Sequence, residues 1–300
     1  MKKLPVLMAI IATTYLFTSC GHHNNQGNVK DGGTAVLESV NSGKKLAIIA
    51  AGQSNIDGRN DIHFLPSYVI NPNPAIHFCN NEEGVFSDFE IHDGGIGKDW
   101  AFDAIVYSYL TSPEYGNQDE IYVIKKSMGG TSIDPEGATD YHWTTDFDKL
   151  EDREHSLLLS FESIIKAARA AKGDDFEIVA MVWHQGEGDA QDPAVSARYY
   201  DNFTSMIKYV RDLVGNPELP IFTGSFSHKS EQYSPVVEEA QKRINSEDKN
   251  FHLVDMSGSA LKDQYHFNDA WSEYFGASVY DMMVDAGIVS GKKVMPEKPQ

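Results

Sequence analysis

Cysteine is scarce in this chain, whose 300 residues include only Cys20 and Cys79. Cys20 follows an export-like segment and is predicted to carry a lipid, which leaves Cys79 without a partner for an intrachain disulfide. Cys79 lies in the apolar segment Ala75–Cys79, where we expect a buried strand residue. A fold held together by disulfides is therefore excluded.

Positive charge is also scarce, because 25 Lys and Arg oppose 44 Asp and Glu, giving a formal net charge of -19. Nucleic-acid binding needs a basic face, so a nucleic-acid partner is not expected. Broad adhesion to anionic surfaces is disfavoured as well, although net charge says little about a single pocket. A Gly-rich phosphate loop of the required form is absent, and no cofactor is predicted.

The one long apolar run follows Lys2 and Lys3, extends to Phe17, and precedes Thr18-Ser19-Cys20. It is too short to span a bilayer as a helix and indicates an export signal. The cysteine at its end resembles the lipobox of bacterial lipoproteins. We therefore predict a signal peptide over 1–19, lipid on Cys20, and a cell-envelope location, in the outer membrane or facing the periplasm. The alternative is an ordinary cleaved signal.

Residues 20–43 are rich in Gly, Asn and His and predict a flexible tether. Residues 44–290 show no second composition shift and are long enough for one domain, followed by a tail over 291–300. Helical periodicity over 157–168, 203–214 and about 270–286 alternates with short apolar runs, which predicts a three-layer α/β/α sandwich around a mostly parallel sheet. The predicted strands are Leu46–Ala51, Ala75–Cys79, Ile121–Lys125, Ile178–Trp183, Ile221–Ser225 and Phe251–Asp255.

Four polar or Gly-rich clusters follow predicted strands, and parallel strands would bring them to one edge of the sheet. They are Gly52-Gln53-Ser54-Asn55, Gly129-Gly130-Thr131-Ser132, Trp183 to Asp189 (WHQGEGD), and Asp263 with His266. In this order they resemble the SGNH hydrolase superfamily, and more narrowly its sialate O-acetylesterase-like branch that includes carbohydrate esterase family six. The resemblance extends from about Lys45 to Ala286 and implies a flavodoxin-like sandwich. Ile56 stands where the family often has methionine.

A catalytic triad is predicted from these clusters. Ser54, lifted out of the chain at the end of a strand, is the candidate nucleophile. His266 is the candidate base, and Asp263, three residues earlier, is the candidate group that orients its imidazole. Asp269 is a rival for that last role, although its position before Ala270 favours an N-cap of the last helix.

Acyl transfer also needs donors for the developing oxyanion. The candidates are the backbone N–H groups of Ser54 and Gly130 and the side-chain amide of Gln185. Gly129 is an alternative to Gly130. The resemblance implies that Gln185 stands where other branches of the superfamily carry asparagine.

Gln53, Arg59 and Glu187 are predicted to support the site. We expect Arg59 and Glu187 to form an ion pair that braces two loops, while a competing interpretation makes Glu187 a second acid or base. His184 and Asp189 could evoke a metal site, but no third ligand has a matching spacing, so no metal is predicted.

The loop over 137–147 carries Tyr141-His142-Trp143, which could stack against sugars or form the loop's own small core. The function that we expect is a carbohydrate O-acetylesterase that releases acetate from an acetylated glycan through an acetyl-serine intermediate. The alternatives are a lipid or aryl esterase of the same fold and a non-catalytic glycan-binding lipoprotein.

Overall fold

A seven-stranded sheet forms the centre of the computed structural model, which describes residues 43–92 and 99–300. The strands lie in the order β3-β2-β4-β1-β5-β6-β7, and all neighbouring pairs are parallel except the antiparallel pair of β2 and β3. The strands are β1 (Lys45–Gly52), β2 (Asn73–Cys79), β3 (Ser87–Phe89), β4 (Ile121–Ser127), β5 (Phe176–His184), β6 (Ile221–Gly224) and β7 (Phe251–Val254).

Helices cover both faces of this sheet. Successive side chains of a strand point to opposite faces, and the buried residues of β1 accordingly divide between two cores. Ala47, Ile49 and Ala51 pack with α3, α4 and α5, while Ile48 and Ala50 pack with α2 and α6. The helices are α1 (Ser54–Asp57), α2 (Phe102–Leu110), α3 (Leu157–Lys172), α4 (Pro193–Val214), α5 (Pro235–Glu247) and α6 (Asp269–Asp285). The predicted three-layer α/β/α sandwich is confirmed.

Some local predictions need correction. All six predicted strands are present, but the sequence pattern does not predict β3, α2 or α5, and the short helix α1 stands where a turn is expected. Asp269 is not the N-cap of the last helix, because Asn268 occupies that position and its Oδ1 accepts a hydrogen bond of 3.0 Å from the N–H of Trp271. The predicted export segment, Cys20 and all but the last residue of the tether lie outside the described residues.

The end of β1 lies at the middle of the sheet, between β4 and β5. Gly52 has φ +140°, and a Cβ there would lie 2.1 Å from the carbonyl oxygen of His184. This close approach requires glycine. The turn that carries Ser54 follows at the carboxyl end of the central strand, the edge at which open α/β sheets usually bind ligands. None of the helices in residues 43–92 and 99–300 is long and apolar enough to span a membrane.

Candidate active site

Ser54 begins α1 directly after β1, and only 7% of its surface is exposed. The neighbouring side chains of the same segment are engaged in holding loops together. Gln53 Oε1 accepts a hydrogen bond of 3.1 Å from the N–H of Gly188, and Asp57 Oδ1 accepts one of 2.8 Å from Ser127 Oγ. In the part of the chain that the structure describes, the Ser54 hydroxyl has no hydrogen-bond partner, so it is available for chemistry.

Asp263 and His266 form a hydrogen-bonded pair in the loop between β7 and α6. His266 Nδ1 lies 2.8 Å from Asp263 Oδ2, and the other carboxylate oxygen accepts 2.8 Å hydrogen bonds from the N–H groups of Tyr265 and His266. Burial acts to raise the pKa of Asp263, but these contacts outweigh it and lower that pKa. An ionised Asp263 accepts from Nδ1–H and leaves Nε2 as the basic nitrogen. Of the two predicted orienters, Asp263 is the one that contacts the imidazole.

The His266 loop is attached to α1 beside the serine. Asn55 Oδ1 accepts a hydrogen bond of 3.1 Å from the N–H of Phe267, the residue after His266, and Lys262 Nζ donates to the carbonyl oxygen of Arg59. Ser54 Oγ and His266 are not hydrogen-bonded to each other, although their chain neighbours are joined. Catalytic hydrogen bonds of this kind are often long before substrate binds.

Gly129, after β4, lies against the serine, and Gly130 follows it. A Cβ at Gly129 would lie 3.5 Å from Ser54 Cβ and 2.4 Å from Arg59 Nη2, and Gly130 has φ +77°. A side chain at Gly129 would require the end of the Arg59 side chain to move, and the positive φ of Gly130 disfavours any other residue there. Both alternatives for the backbone donor of an oxyanion hole remain open.

Gln185 is fully buried and its side-chain amide already has two acceptors. Nε2 donates to the carbonyl oxygen of Thr131 at 2.9 Å and to Asp189 Oδ2 at 2.6 Å. In the structure this amide therefore joins the loops after β4 and β5. An oxyanion role would require one of these hydrogen bonds to break, and that role stays a prediction.

Asp189 is the buried acceptor at the centre of this contact. Besides the Gln185 amide, its carboxylate accepts hydrogen bonds from the backbone N–H groups of Ile133 (2.8 Å) and Asp134 (2.9 Å). Burial raises the pKa of Asp189 to about 6, even though these hydrogen bonds act to lower it. The loop after β4 thus depends on a carboxylate that is costly to ionise.

The predicted ion pair between Arg59 and Glu187 is wrong. Arg59 instead pairs with Asp57, with 2.9 Å between Nη1 and Oδ2, while Glu187 Oε1 lies 3.1 Å from His184 Nε2 and 2.9 Å from Asn55 Nδ2. Burial acts to raise the pKa of Glu187, but His184 and the Asn55 amide outweigh it and lower that pKa. Each of the two charged side chains is therefore paired with a residue two or three positions away in the chain, and not with the charge in the other motif.

The aromatic residues of the 137–147 loop divide between the two predicted roles. Trp143 is fully buried and packs edge-on against Trp183, and His142 is buried with Nδ1 2.8 Å from Ser132 Oγ. Tyr141 is 37% exposed. Two of the three therefore belong to the loop's own core, and only Tyr141 is available to a ligand.

A cavity of about 580 Å³ lies beside α1 at the carboxyl edge of β2 and β4. Its walls carry more negative than positive charge, and Lys125 is paired with Asp103 at 2.7 Å. The charged side chains around it are Asp57, Asp88, Glu90, Asp99, Asp103, Lys125 and Lys126. Within residues 43–92 and 99–300, no three His, Cys, Asp or Glu side chains are placed to hold a metal ion.

The chain belongs to the family described as carbohydrate esterase, sialic acid-specific acetylesterase, which residues 44–285 match. Membership confirms the relationship to sialate O-acetylesterase-like hydrolases that the sequence motifs predict. No protein with a curated description matches the chain.

Several solved structures share the fold. A protein from Arabidopsis thaliana is 22% identical, with a TM-score of 0.60, over 81% of this chain and 98% of its own. NanS is 16% identical, with a TM-score of 0.59, over 82% and 97%. A carbohydrate acetylesterase from Xanthomonas citri is 15% identical, with a TM-score of 0.55, over 79% of this chain and 55% of its own.

Proposed function

We propose that this protein is a carbohydrate O-acetylesterase that releases acetate from acetylated sugars with Ser54, His266 and Asp263 as its catalytic triad. The observation that carries the proposal is the Asp263–His266 pair, held against the Ser54 helix by the hydrogen bond from the N–H of Phe267 to Asn55. Family membership supports acetyl esters of sugars as the substrates.

In the proposed mechanism, His266 Nε2 takes the proton of Ser54 Oγ as this oxygen attacks the acetyl carbonyl. The ionised Asp263 stabilises the imidazolium, and backbone N–H groups of Ser54 and of Gly129 or Gly130 stabilise the oxyanion. The imidazolium then protonates the departing sugar oxygen, which leaves an acetyl-serine. His266 deprotonates a water molecule that attacks this ester, and collapse of the second tetrahedral intermediate returns the proton to Ser54 and releases acetate.

The Ser54→Ala variant tests the proposal. We expect acetate release from acetylated sugars to fall by about 10³-fold or more, because the acyl-enzyme route is lost. Ser246→Ala, an exposed serine on α5 that bonds only its own helix, is the matched control and should keep the wild-type rate. A Ser54→Ala enzyme with a tenth of the wild-type rate would exclude Ser54 as the nucleophile.

The same assay separates sugar esters from the alternative lipid and aryl esters. The cavity beside α1 is lined by Asp57 of the serine helix but not by Ser54 or His266, and its mainly charged and polar walls would suit a sugar next to the triad better than a long acyl chain. We expect acetylated monosaccharides or oligosaccharides to be hydrolysed with a higher kcat/KM than any ester of a long-chain acid. The reverse order would favour a general lipid esterase.

We further propose that lipid on Cys20 tethers the enzyme to a bacterial cell membrane. The support is the sequence alone: a basic start, an apolar run and small residues ending in cysteine. In cells fed a labelled fatty acid, the wild-type chain should take up label and the Cys20→Ala variant should not. Cys79→Ala is the control, and equal labelling of Cys20→Ala would refute the anchor.

A further inference from the structure

Asn55 makes two hydrogen bonds to distant parts of the chain through one buried amide. Its Oδ1 accepts from the N–H of Phe267 at 3.1 Å and its Nδ2 donates to Glu187 Oε1 at 2.9 Å. A carboxylate cannot donate and a backbone N–H cannot accept, so the amide has a single orientation that satisfies both partners. Asn55 follows Ser54 in the chain and Phe267 follows His266. The hydrogen bond between them therefore links the two chain segments that carry the reacting pair.

Glu187 is itself held in place by His184. The imidazole Nε2 lies 3.1 Å from the same carboxylate oxygen that accepts from Asn55, and both side chains are buried. Hydrogen bonds to an ionised acceptor are shorter and stronger than neutral ones. His184 lies among aromatic rings, with centroid distances of 5.4 to 6.2 Å, and the rings are those of Phe102, Phe226, Phe267 and Phe275.

Phe267 therefore rests on this group twice. Its backbone N–H donates to Asn55, and its ring lies 5.4 Å from the His184 ring. Asp263 sets the orientation of the His266 ring, but it belongs to the same loop and cannot set the distance of that loop from α1. The hydrogen bonds that tie this loop to α1 and the residues next to it come from Asn55 and from the exposed Lys262, and His184 packs on the Phe267 ring, whereas Gln264 ties the loop to Glu231 in the connection after β6.

We propose that Asn55 is a positioning residue that sets the distance between Ser54 and His266, and that the His184–Glu187 pair fixes the orientation of Asn55. The inference rests on the proposed triad and adds the element that aligns it. Proton transfer from serine to imidazole needs a heavy-atom distance of about 2.6–3.2 Å, and a misplacement of about 1 Å can cost about 10²-fold in rate.

The experiment compares kcat and KM for one acetylated sugar across single variants. We expect Asn55→Ala to lower kcat by about 10- to 100-fold with KM changed less than about threefold, since substrate contacts remain. Glu187→Ala should lower kcat similarly, whereas Glu187→Gln keeps an oxygen that can accept from Asn55 and should lose less than about fivefold. The double variant Asn55→Ala with Glu187→Ala should be no slower than the slower single variant, because the two act as one unit.

Two controls distinguish positioning from simple support of the fold. Asn245→Ala removes an exposed amide on α5, whose oxygen accepts from the N–H of Leu253 in β7, and should leave kcat unchanged. The downfield proton resonance of the His266 Nδ1–H bonded to Asp263 should persist in Asn55→Ala, showing that the imidazole pair is intact while its distance from Ser54 has changed. Loss of kcat together with that resonance would show general disruption and overturn the inference.

Ser54→Ala, measured in the same series, separates failure of this inference from failure of the proposed function. If Ser54→Ala is inactive and Asn55→Ala keeps half the wild-type kcat, the positioning role is overturned and the triad stands. If Ser54→Ala remains active, the triad and the positioning role both fail. If Asn55→Ala does not fold, Glu187→Ala and Glu187→Gln decide: equal kcat in these two overturns the role.

Discussion

At the scale of single residues, the segment from Gln53 to Asp57 shows how one serine becomes available for chemistry. The side chains of Gln53, Asn55 and Asp57 hydrogen-bond to the end of β4 and to the loops after β5 and β7. Of the polar side chains in this segment, Ser54 alone has no hydrogen-bond partner among the described residues. These hydrogen bonds hold Ser54 in place, and the free hydroxyl indicates a role in chemistry and not in stabilising the fold.

Closeness in the chain makes only some of these contacts predictable. The contact between Asp263 and His266 is predictable because a single turn of chain brings residues three apart together. Asp57 and His184 are just as near in the chain to Arg59 and Glu187, yet the opposite charges of the two motifs predict a pair of Arg59 with Glu187, which only the coordinates exclude. Asn55 belongs to one of the motifs, and no pattern in the sequence indicates its two distant partners.

Replacing the two candidate orienters separately checks the assignment. Asp263→Asn should lower kcat by about 10²-fold or more. The two oxygens of Asp263 accept hydrogen bonds from His266 Nδ1–H and from backbone N–H groups, and in the variant an amide NH2 group would face one of these donors. Asp269→Asn, at the first position of α6, should lower kcat less than about threefold. Equal losses in steady-state kinetics on one acetylated sugar would contradict the role of Asp263.

At the scale of secondary-structure elements, the order of strands and helices was predictable and the unpredicted elements share a cause. Every residue of α2 is buried, so its sequence shows no alternation of polar and apolar faces. The helix α5 has the opposite character, with few apolar residues among many charged ones, and β3 has only three residues. Periodicity detects an element whose buried face is apolar and whose exposed face is polar. The helix α5 is half buried, but Glu238 and Gln241 share its buried face with the apolar residues and weaken the pattern.

The turn between β1 and α1 should not tolerate a side chain. Gly52→Ala would place a methyl group 2.1 Å from the carbonyl oxygen of His184 and hold alanine at φ +140°. We expect loss of most soluble, active protein, with any folded fraction unfolding at a clearly lower temperature. Gly258→Ala, where the nearest atom would be 4.0 Å away, is the control and should match the wild type in thermal unfolding. Normal stability of Gly52→Ala would contradict the close approach of the two strands.

The link between the loops after β4 and β5 should make stability depend on pH. The pKa of Asp189 is about 6 in the folded chain and 3.8 as its ordinary value, so between these pH values the folded state binds more protons than the unfolded state. The stabilisation that comes from protonated Asp189 is therefore fully present below about pH 4 and is lost as the pH rises through 6. The corresponding change in the free energy of unfolding is about 3 kcal/mol.

Denaturant unfolding at several pH values from 4 to 7 measures this term as the difference between wild type and Asp189→Asn. The variant lacks the ionisation and one acceptor oxygen, so it should be less stable throughout, with the deficit greatest at pH 4 and smaller at pH 7. Other carboxylates titrate in both proteins and cancel in the difference. A deficit that does not vary with pH would show that Asp189 is ionised over the whole range.

At the scale of the whole molecule, charge should influence which acetylated sugars the enzyme binds. The chain carries a formal charge of -19, and five carboxylates against two lysines surround the cavity beside α1. One positive group works against this field, since Arg59 Nη2 lies close to the Gly129 backbone beside Ser54. For an anionic sugar such as the sialic acid in the family's name, the acidic field would be repulsive, whereas Arg59 and the neighbouring Lys262 would be attractive.

We expect the acidic field to dominate, because Arg59 is already paired with Asp57. Salt screens charges that are separated by more than about 8 Å at 0.15 M ionic strength and about 3 Å at 1 M. Raising NaCl from about 0.02 M to about 0.5 M should therefore lower KM several-fold for an O-acetylated sugar that carries a carboxylate, by weakening its repulsion.

An uncharged O-acetylated sugar is the matched control, and its KM should change less than about twofold, with kcat steady for both. A KM that rises with salt for the anionic sugar alone would mean that a basic group holds its carboxylate, and Arg59→Met, which should abolish that rise, would identify the guanidinium as this group.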